Sequence, residues 1–210
     1  MNPNQQINRR AALAGFNAFA DETRSDRLIL QGSPIVYDTP APIYEDVEGN
    51  TIFEIIERGA IAGADVSDVV LNIEHGGRVY ARTRNGTLMI TETETGADCR
   101  ADMDANDQGH RQYYNDVKSG LLDRMSFSFT VPEDGYEYDA AARTIRVKRI
   151  DKIYDVSAVA FAAYDQTRIQ SRNSEWAESW ITETKNLTGQ LCAHALDDMR
   201  SRAIALSYTF

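Results

Sequence analysis

Alternation is the feature that most restricts what this chain can become. In DRMSFSFTVPED, residues 123–134, Met125, Phe127, Phe129 and Val131 take every second position, with Ser126, Ser128 and Thr130 between them. Successive side chains of a strand point to opposite faces, so the apolar set faces a core and the hydroxyls form a second, polar face. That face is either wet or the floor of a site. The same cadence of short apolar runs and turn signals recurs from Arg27 onward. RLILQGSPIVYDTP, broken at Gly32 and Pro34, reads as a bent strand or strand pair, and TIFEIIERGAI as a strand end or a single helical turn. GGRVYARTRNGTLMITETETGADCRADMD reads as successive strands turning at Gly76-Gly77, Asn85-Gly86 and Gly96. Asn-Gly is the strongest short hairpin signal, so a hairpin is expected there. EDGYEYDAAARTIRVKR reads as a further hairpin and IDKIYDVSAVAFAAY as a strand.

One helix interrupts this β-rich body. Asn106 is the expected N-cap, Tyr113, Tyr114 and Val117 have helical spacing, and Gly120 is the stop. The ends differ in texture. Residues 1–26 are polar with a short Ala-rich patch and read as a flexible N-terminal arm, and residues 27–172 form the body. Residues 173–210 read as a helical tail, with Trp176, Trp180, Leu187, Leu191, Ala195, Met199 and Ala203 along one stripe.

Composition narrows the function classes. At 210 residues, 42% hydrophobic and 26% charged, the chain suits one folded domain with an appendage. A net charge of −10 opposes general affinity for nucleic acid or an anionic membrane surface. The two cysteines, Cys99 and Cys192, are far apart and lack CxxC spacing, so neither a zinc cluster nor a disulfide framework is implied, and a reducing cytoplasm is expected. The segment MNPNQQINRRAALAGF lacks a signal-peptide core, and no run approaches the roughly 20 apolar residues of a membrane span.

Serine hydrolysis needs a hydroxyl, a base that takes its proton, and a group that orients the base. Of three histidines, His110 lies on the polar side of the expected helix and His194 in the tail. His75 ends the run DVVLNIE just before Gly76-Gly77, where backbone can open. Ser126 and His75 are candidates on chemistry, although each has an ordinary structural reading. Glu74, His75, His110 and Asp155 are metal-ligand types without helical metal-site spacing. Cys99, in GADCRADM, reads as a small core residue.

The ordered set FEIIERGAI, DVVLNIEH, RVYARTRNGTLMI, a helix, GLLDRMSFSF and YDVSAVAFAAYDQT resembles the prohead serine protease family of tailed bacteriophages over about residues 28–172. Those proteases resemble herpesvirus assemblins in fold. The resemblance implies an α+β fold, a mostly antiparallel β-barrel core with flanking helices, followed by the helical C-terminal segment. It implies His75 as general base, Ser126 as nucleophile and Asp155 as the orienting acid, with Ser128 standing where the family usually has glycine. Glu74-His75-Gly76 replaces the family's "NHD", and Ala162-Ala163-Tyr164 its "PAY"; the missing acid after the histidine makes Asp155 more needed. Arg82 and Arg143 are possible cationic helpers at an oxyanion site. The implied function is that of a cofactor-free serine endopeptidase. It would cleave the scaffold protein, the major capsid protein precursor and itself inside the assembling prohead in the host cytoplasm, with a homodimer among the uses of the tail. The competing reading is a non-enzymatic scaffold or assembly protein binding through the tail, with a metallohydrolase more distant.

Overall fold

The computed structural model describes residues 8–20, 24–45 and 49–160. They form β1 (Asn8–Ala20), β2 (Arg27–Val36), β3 (Ala41–Glu45), β4 (Thr51–Ile56), β5 (Val70–Ile73), β6 (Gly76–Arg82), β7 (Leu88–Thr93), β8 (Gly96–Asp104), α1 (Gln108–Lys118), β9 (Arg124–Thr130), β10 (Tyr136–Asp139), β11 (Thr144–Val147) and β12 (Lys152–Val159). Eight strands follow one another in the order β6-β5-β12-β9-β1-β2-β8-β7, and β10-β11-β4-β3 form a separate sheet. The first half of β1, through Gly15, pairs with β9, and the second half, from Phe16, pairs with β2. β1 thereby passes from one sheet into the next, which gives three sheets in all. Leu30, Ile35, Met103, Met125, Phe129 and Ile153 are among the buried side chains that fill the core.

Two expectations need correction. First, the β structure is not a closed barrel: β6 and β7 end the eight-strand succession, and no ladder joins them. The cause is local. After β6 the chain enters a 3-10 turn, Thr83–Asn85, and Gly86 at φ 75 caps it. Thr87 Oγ1 accepts from Arg82 N at 2.9 Å, and the Arg82 guanidinium is held by Asp68, so β6 and β7 diverge instead of folding back as an Asn-Gly hairpin. Second, α1 is the single α-helix among the described residues, so flanking helices are not part of this body. The helical tail expected over 173–210, with Cys192 and His194, lies outside the described residues. Most ladders are antiparallel; β12 pairs parallel to β5 and β11 parallel to β4.

Residues 8–20, read from sequence as part of an arm, form β1. The segment has no Val, Ile or Thr, and its strand conformation rests on ladders to two neighbours rather than on propensity. RLILQGSPIV is one strand whose register shifts between Gly32 and Ile35, and TIFEII is a strand.

Helix α1 starts one residue later than its spacing predicts. Asn106 donates its side-chain NH₂ to Asp104 at 3.1 Å, which leaves Asp107 as the N-cap, accepting from His110 N at 2.9 Å. The Arg78 guanidinium and the His110 N–H hold the Asp107 carboxyl down at about 2. On the helix's inner face Tyr113 is fully buried and donates its hydroxyl to the Asn72 carbonyl at 3.1 Å, fixing the end of β5.

Gly96 opens β8 where it meets β2. A Cβ there would lie 1.9 Å from the Ile35 carbonyl oxygen, so the backbones leave room only for hydrogen. Gly96→Ala is expected to cost about 2–3 kcal/mol, read as a lower urea midpoint with an unchanged m-value.

Candidate active site

Register places the hydroxyl face. On β9, Ser126, Ser128 and Thr130 are buried along one side. On the neighbouring β12, Ser157 lies directly across from Ser126 and Asp155 across from Ser128. This alignment requires one extra residue. Ile153 pairs with Phe129 and Asp155 with Ser128, so Tyr154 is a bulge. In an unbroken ladder Tyr154 would face Ser128 and Asp155 would face Phe127, on the apolar side; the inserted residue rotates the carboxylate onto the hydroxyl face. On the far side of β12, Asn72 of β5 aligns with Ser157.

His75 arrives from above this floor. Ile73 pairs with Gly76, so Glu74 and His75 alone form the β5–β6 connection, and both have positive φ, 52° and 57°. Two left-handed residues in a two-residue hairpin are the type I′ arrangement, normally built from Asn and Gly because a Cβ costs about 1–2 kcal/mol in that conformation. Strain of this kind persists only where surroundings over-determine it. Here β12 does so: Glu74 N donates to Ala158 O at 3.0 Å, His75 N to Ser157 Oγ at 3.2 Å, and Ala160 N to Glu74 Oε1 at 2.7 Å.

Held this way, the imidazole joins two strands. Nδ1 lies 2.7 Å from Asp155 Oδ1, and Nε2 lies 2.7 Å from Ser126 Oγ. With Nδ1 carrying the proton toward the carboxylate, Nε2 is the acceptor for the Ser126 hydroxyl. Asp155 also accepts from Ser157 Oγ at 2.8 Å on Oδ1 and from Ser128 Oγ on Oδ2, and Ser157 Oγ touches the Asn72 amide as well. Burial pushes the Asp155 carboxyl up, but His75 and the two serine hydroxyls outweigh it, and the net shift is downward. The carboxylate is therefore ionised beside the imidazole. A hydroxyl, a basic nitrogen aimed at it and an anion behind the ring are the components of an activated nucleophile.

The three residues singled out in the sequence, Ser126, His75 and Asp155, are thus brought into one hydrogen-bonded chain. Ser128 turns to Asp155 and not to the imidazole. Arg82 lies at the other end of β6 from the turn and pairs with Asp68, and Arg143 immediately precedes β11 in the separate sheet, so neither is brought to the site. His110 Nδ1 accepts from Asp104 N at 3.1 Å. Among the described residues no group of three or more His, Cys, Asp or Glu is placed to hold a metal. Cys99 is buried, and burial pushes its thiol up to about 12, so it carries no thiolate. Sequence reasoning missed Asn72 and Ser157. The signal was available in YDVSAV, where Asp155 and Ser157 alternate with apolar Val156 and Ala158 just as Ser126 and Ser128 alternate with Phe127 and Phe129.

The family model described as caudovirus prohead serine protease matches residues 17–179. No curated protein and no solved structure matches the chain.

Two outcomes follow from this geometry. Because the folded Asp155 carboxyl titrates below its ordinary value of 3.8, the stability it contributes is complete above that value and is lost as pH falls through the folded one. Urea denaturation between neutral pH and pH 3 should show wild type losing stability on acidification more steeply than Asp155→Asn. Separately, iodoacetamide should leave Cys99 unmodified in the native protein and alkylate it after urea is added, as read by peptide mass spectrometry.

Proposed function

The chain belongs to the caudovirus prohead serine protease family, a family of phage capsid maturation proteases, and we propose that Ser126, His75 and Asp155 are its catalytic nucleophile, general base and orienting acid. The observation that carries this reading is the unbroken chain from Ser126 Oγ through both ring nitrogens of His75 to Asp155, with 2.7 Å at each link. His75 Nε2 takes the Ser126 proton as Oγ bonds to the peptide carbonyl carbon, and it returns that proton to the departing amine. Asp155 keeps the proton on Nδ1 and stabilises the imidazolium formed in between. Water, deprotonated by the same nitrogen, then releases the acyl group. Nothing in this sequence of proton transfers calls for a cofactor.

The substrates are the scaffold protein and the major capsid protein precursor, cut inside the assembling prohead, together with the protease itself. The family and the hydrogen-bonded Ser126–His75–Asp155 chain support this assignment. A base aimed at a buried hydroxyl favours this reading over a binding-only assembly factor, which would have no need of one.

Co-expression with the major capsid protein precursor tests the reading. Mass spectrometry of termini should find the precursor trimmed by wild type and intact with Ser126→Ala; trimming at the same bonds by the variant would remove Ser126 from its role. Asp155→Asn should slow phosphonylation of Ser126 by a fluorophosphonate, with loss of fluoride, about 10⁴-fold, since an amide favours the wrong imidazole tautomer.

A further inference from the structure

We propose that Asn72 and Ser157 are positioning residues that orient the Asp155–His75 pair through a one-way chain of hydrogen bonds running from the Asn72 amide to the Ser157 hydroxyl to the Asp155 carboxylate. The proposal rests on the catalytic assignment above and adds two residues that act on the pair from β5 and β12.

The argument is a count of protons. Ser157 Oγ is fully buried and contacts His75 N at 3.2 Å, Asp155 Oδ1 at 2.8 Å, His75 Nδ1 at 3.4 Å, whose proton is directed to Asp155, and the Asn72 carboxamide, which is placed with Oδ1 toward it. A serine hydroxyl has one proton to give and two lone pairs to receive. The His75 N–H must donate, taking one lone pair. Asp155, ionised, can only accept, so it takes the proton. The remaining lone pair faces Asn72, and with the Ser157 proton given to Asp155 that contact is a hydrogen bond only if the carboxamide is turned over from the placed orientation to present its NH₂ in place of Oδ1. The two ends of a carboxamide are interchangeable in shape, so this orientation fits the same space as the one with Oδ1 inward. With the NH₂ inward every partner of Ser157 is satisfied; with the oxygen inward, two acceptors compete for one proton on a fully buried hydroxyl and one of them is left unpaired.

The direction of the chain has a chemical effect. A hydroxyl that already receives two hydrogen bonds is a stronger donor, so Asn72 and the His75 backbone reinforce the Ser157 bond to Asp155. Asp155 is held on Oδ1 by Ser157 and on Oδ2 by Ser128, leaving its free Oδ1 direction for His75 Nδ1–H. The same Ser157 oxygen pins the backbone of the left-handed turn, so the ring and its carboxylate are fixed from one atom. The Tyr113 hydroxyl, donating to the Asn72 carbonyl, sets the height of Asn72 from the helix side.

Asn72→Asp is the decisive variant, because it keeps the shape while replacing the only NH₂ with a second acceptor. Full-length wild type, Asn72→Asp, Ser157→Ala and Ser157→Thr are compared by the rate of fluorophosphonate labelling across pH, by melting temperature, and by ¹⁵N NMR of the His75 ring. The expected result is labelling slowed about 10- to 100-fold in Asn72→Asp and Ser157→Ala, with the acid limb of the profile moved to higher pH and partial recovery in Ser157→Thr. The NMR should show His75 protonated on Nδ1 when neutral in wild type and a mixture of tautomers in both variants. Unchanged rates and unchanged tautomers in Asn72→Asp overturn the proposal, whatever Ser157→Ala does, including failing to fold. If wild type is not labelled at Ser126 at all, the catalytic reading fails by itself; the tautomer comparison then still decides whether Asn72 and Ser157 orient the pair.

Discussion

One inserted residue governs the site. The bulge at Tyr154 lets Ile153 and Val156, three apart, both face the core while Asp155 and Ser157 face the hydroxyls of β9. Without it, strict alternation would bring Asp155 onto the apolar side opposite Phe127, where a carboxylate has no partner and a large desolvation cost. The polar floor therefore depends on a backbone irregularity, and not on any one side chain. β12 does a second job through the same segment, since its Ala158 carbonyl and Ser157 hydroxyl, with the Ala160 amide just past its end, hold the strained Glu74–His75 turn. Carboxylate and imidazole are consequently located by the same strand, which removes most of the freedom they would have if each were carried by an independent loop.

Burial makes this arrangement both firm and demanding. Ser126, Ser128, Ser157, Asn72 and Asp155 are all buried polar residues, and each such group carries a penalty unless it is paired. Mutual satisfaction turns a cluster that would weaken an ordinary core into a rigid template for the imidazole. Thr130 marks the edge of the cluster: it continues the face, yet its Oγ1 has no hydrogen-bond partner among the described residues.

The reach of the sequence stops where local signals stop. The Ser126/Ser128 alternation, the burial of Tyr113, Tyr114 and Val117 on α1, and the chemistry expected of His75 all depend on spacing within a few residues, and such spacing is visible. The parallel pairing of β12 with β5 joins residues some eighty positions apart and leaves no local trace. The Tyr154 bulge is hidden because Val, Ser and Ala following Asp155 fit an uninterrupted strand equally well. Asn85-Gly86 misled in the opposite sense: a dipeptide that favours a tight reversal was used to cap a 3-10 turn, because Asp68 and Thr87 claim Arg82 and steer the chain elsewhere. β1 was unreadable for want of β-branched residues, its ladders coming from β9 and β2. Closure into a barrel was inferred from the resemblance alone, and the divergence of β6 from β7 lies below the resolution of a motif order.

The parallel alignment of β5 and β12 also fixes when the molecule can become competent. On the ribosome, a growing chain that has already exposed His75 and Ser126 still lacks both the anion and the three anchors of the histidine turn, because all of them come from residues 155–160. The strained turn has nothing to oppose its relaxation at that stage, and the serine faces no aligned base. The hydrogen-bonded chain from Ser126 to Asp155 therefore closes in one step, once β12 is inserted between β5 and β9.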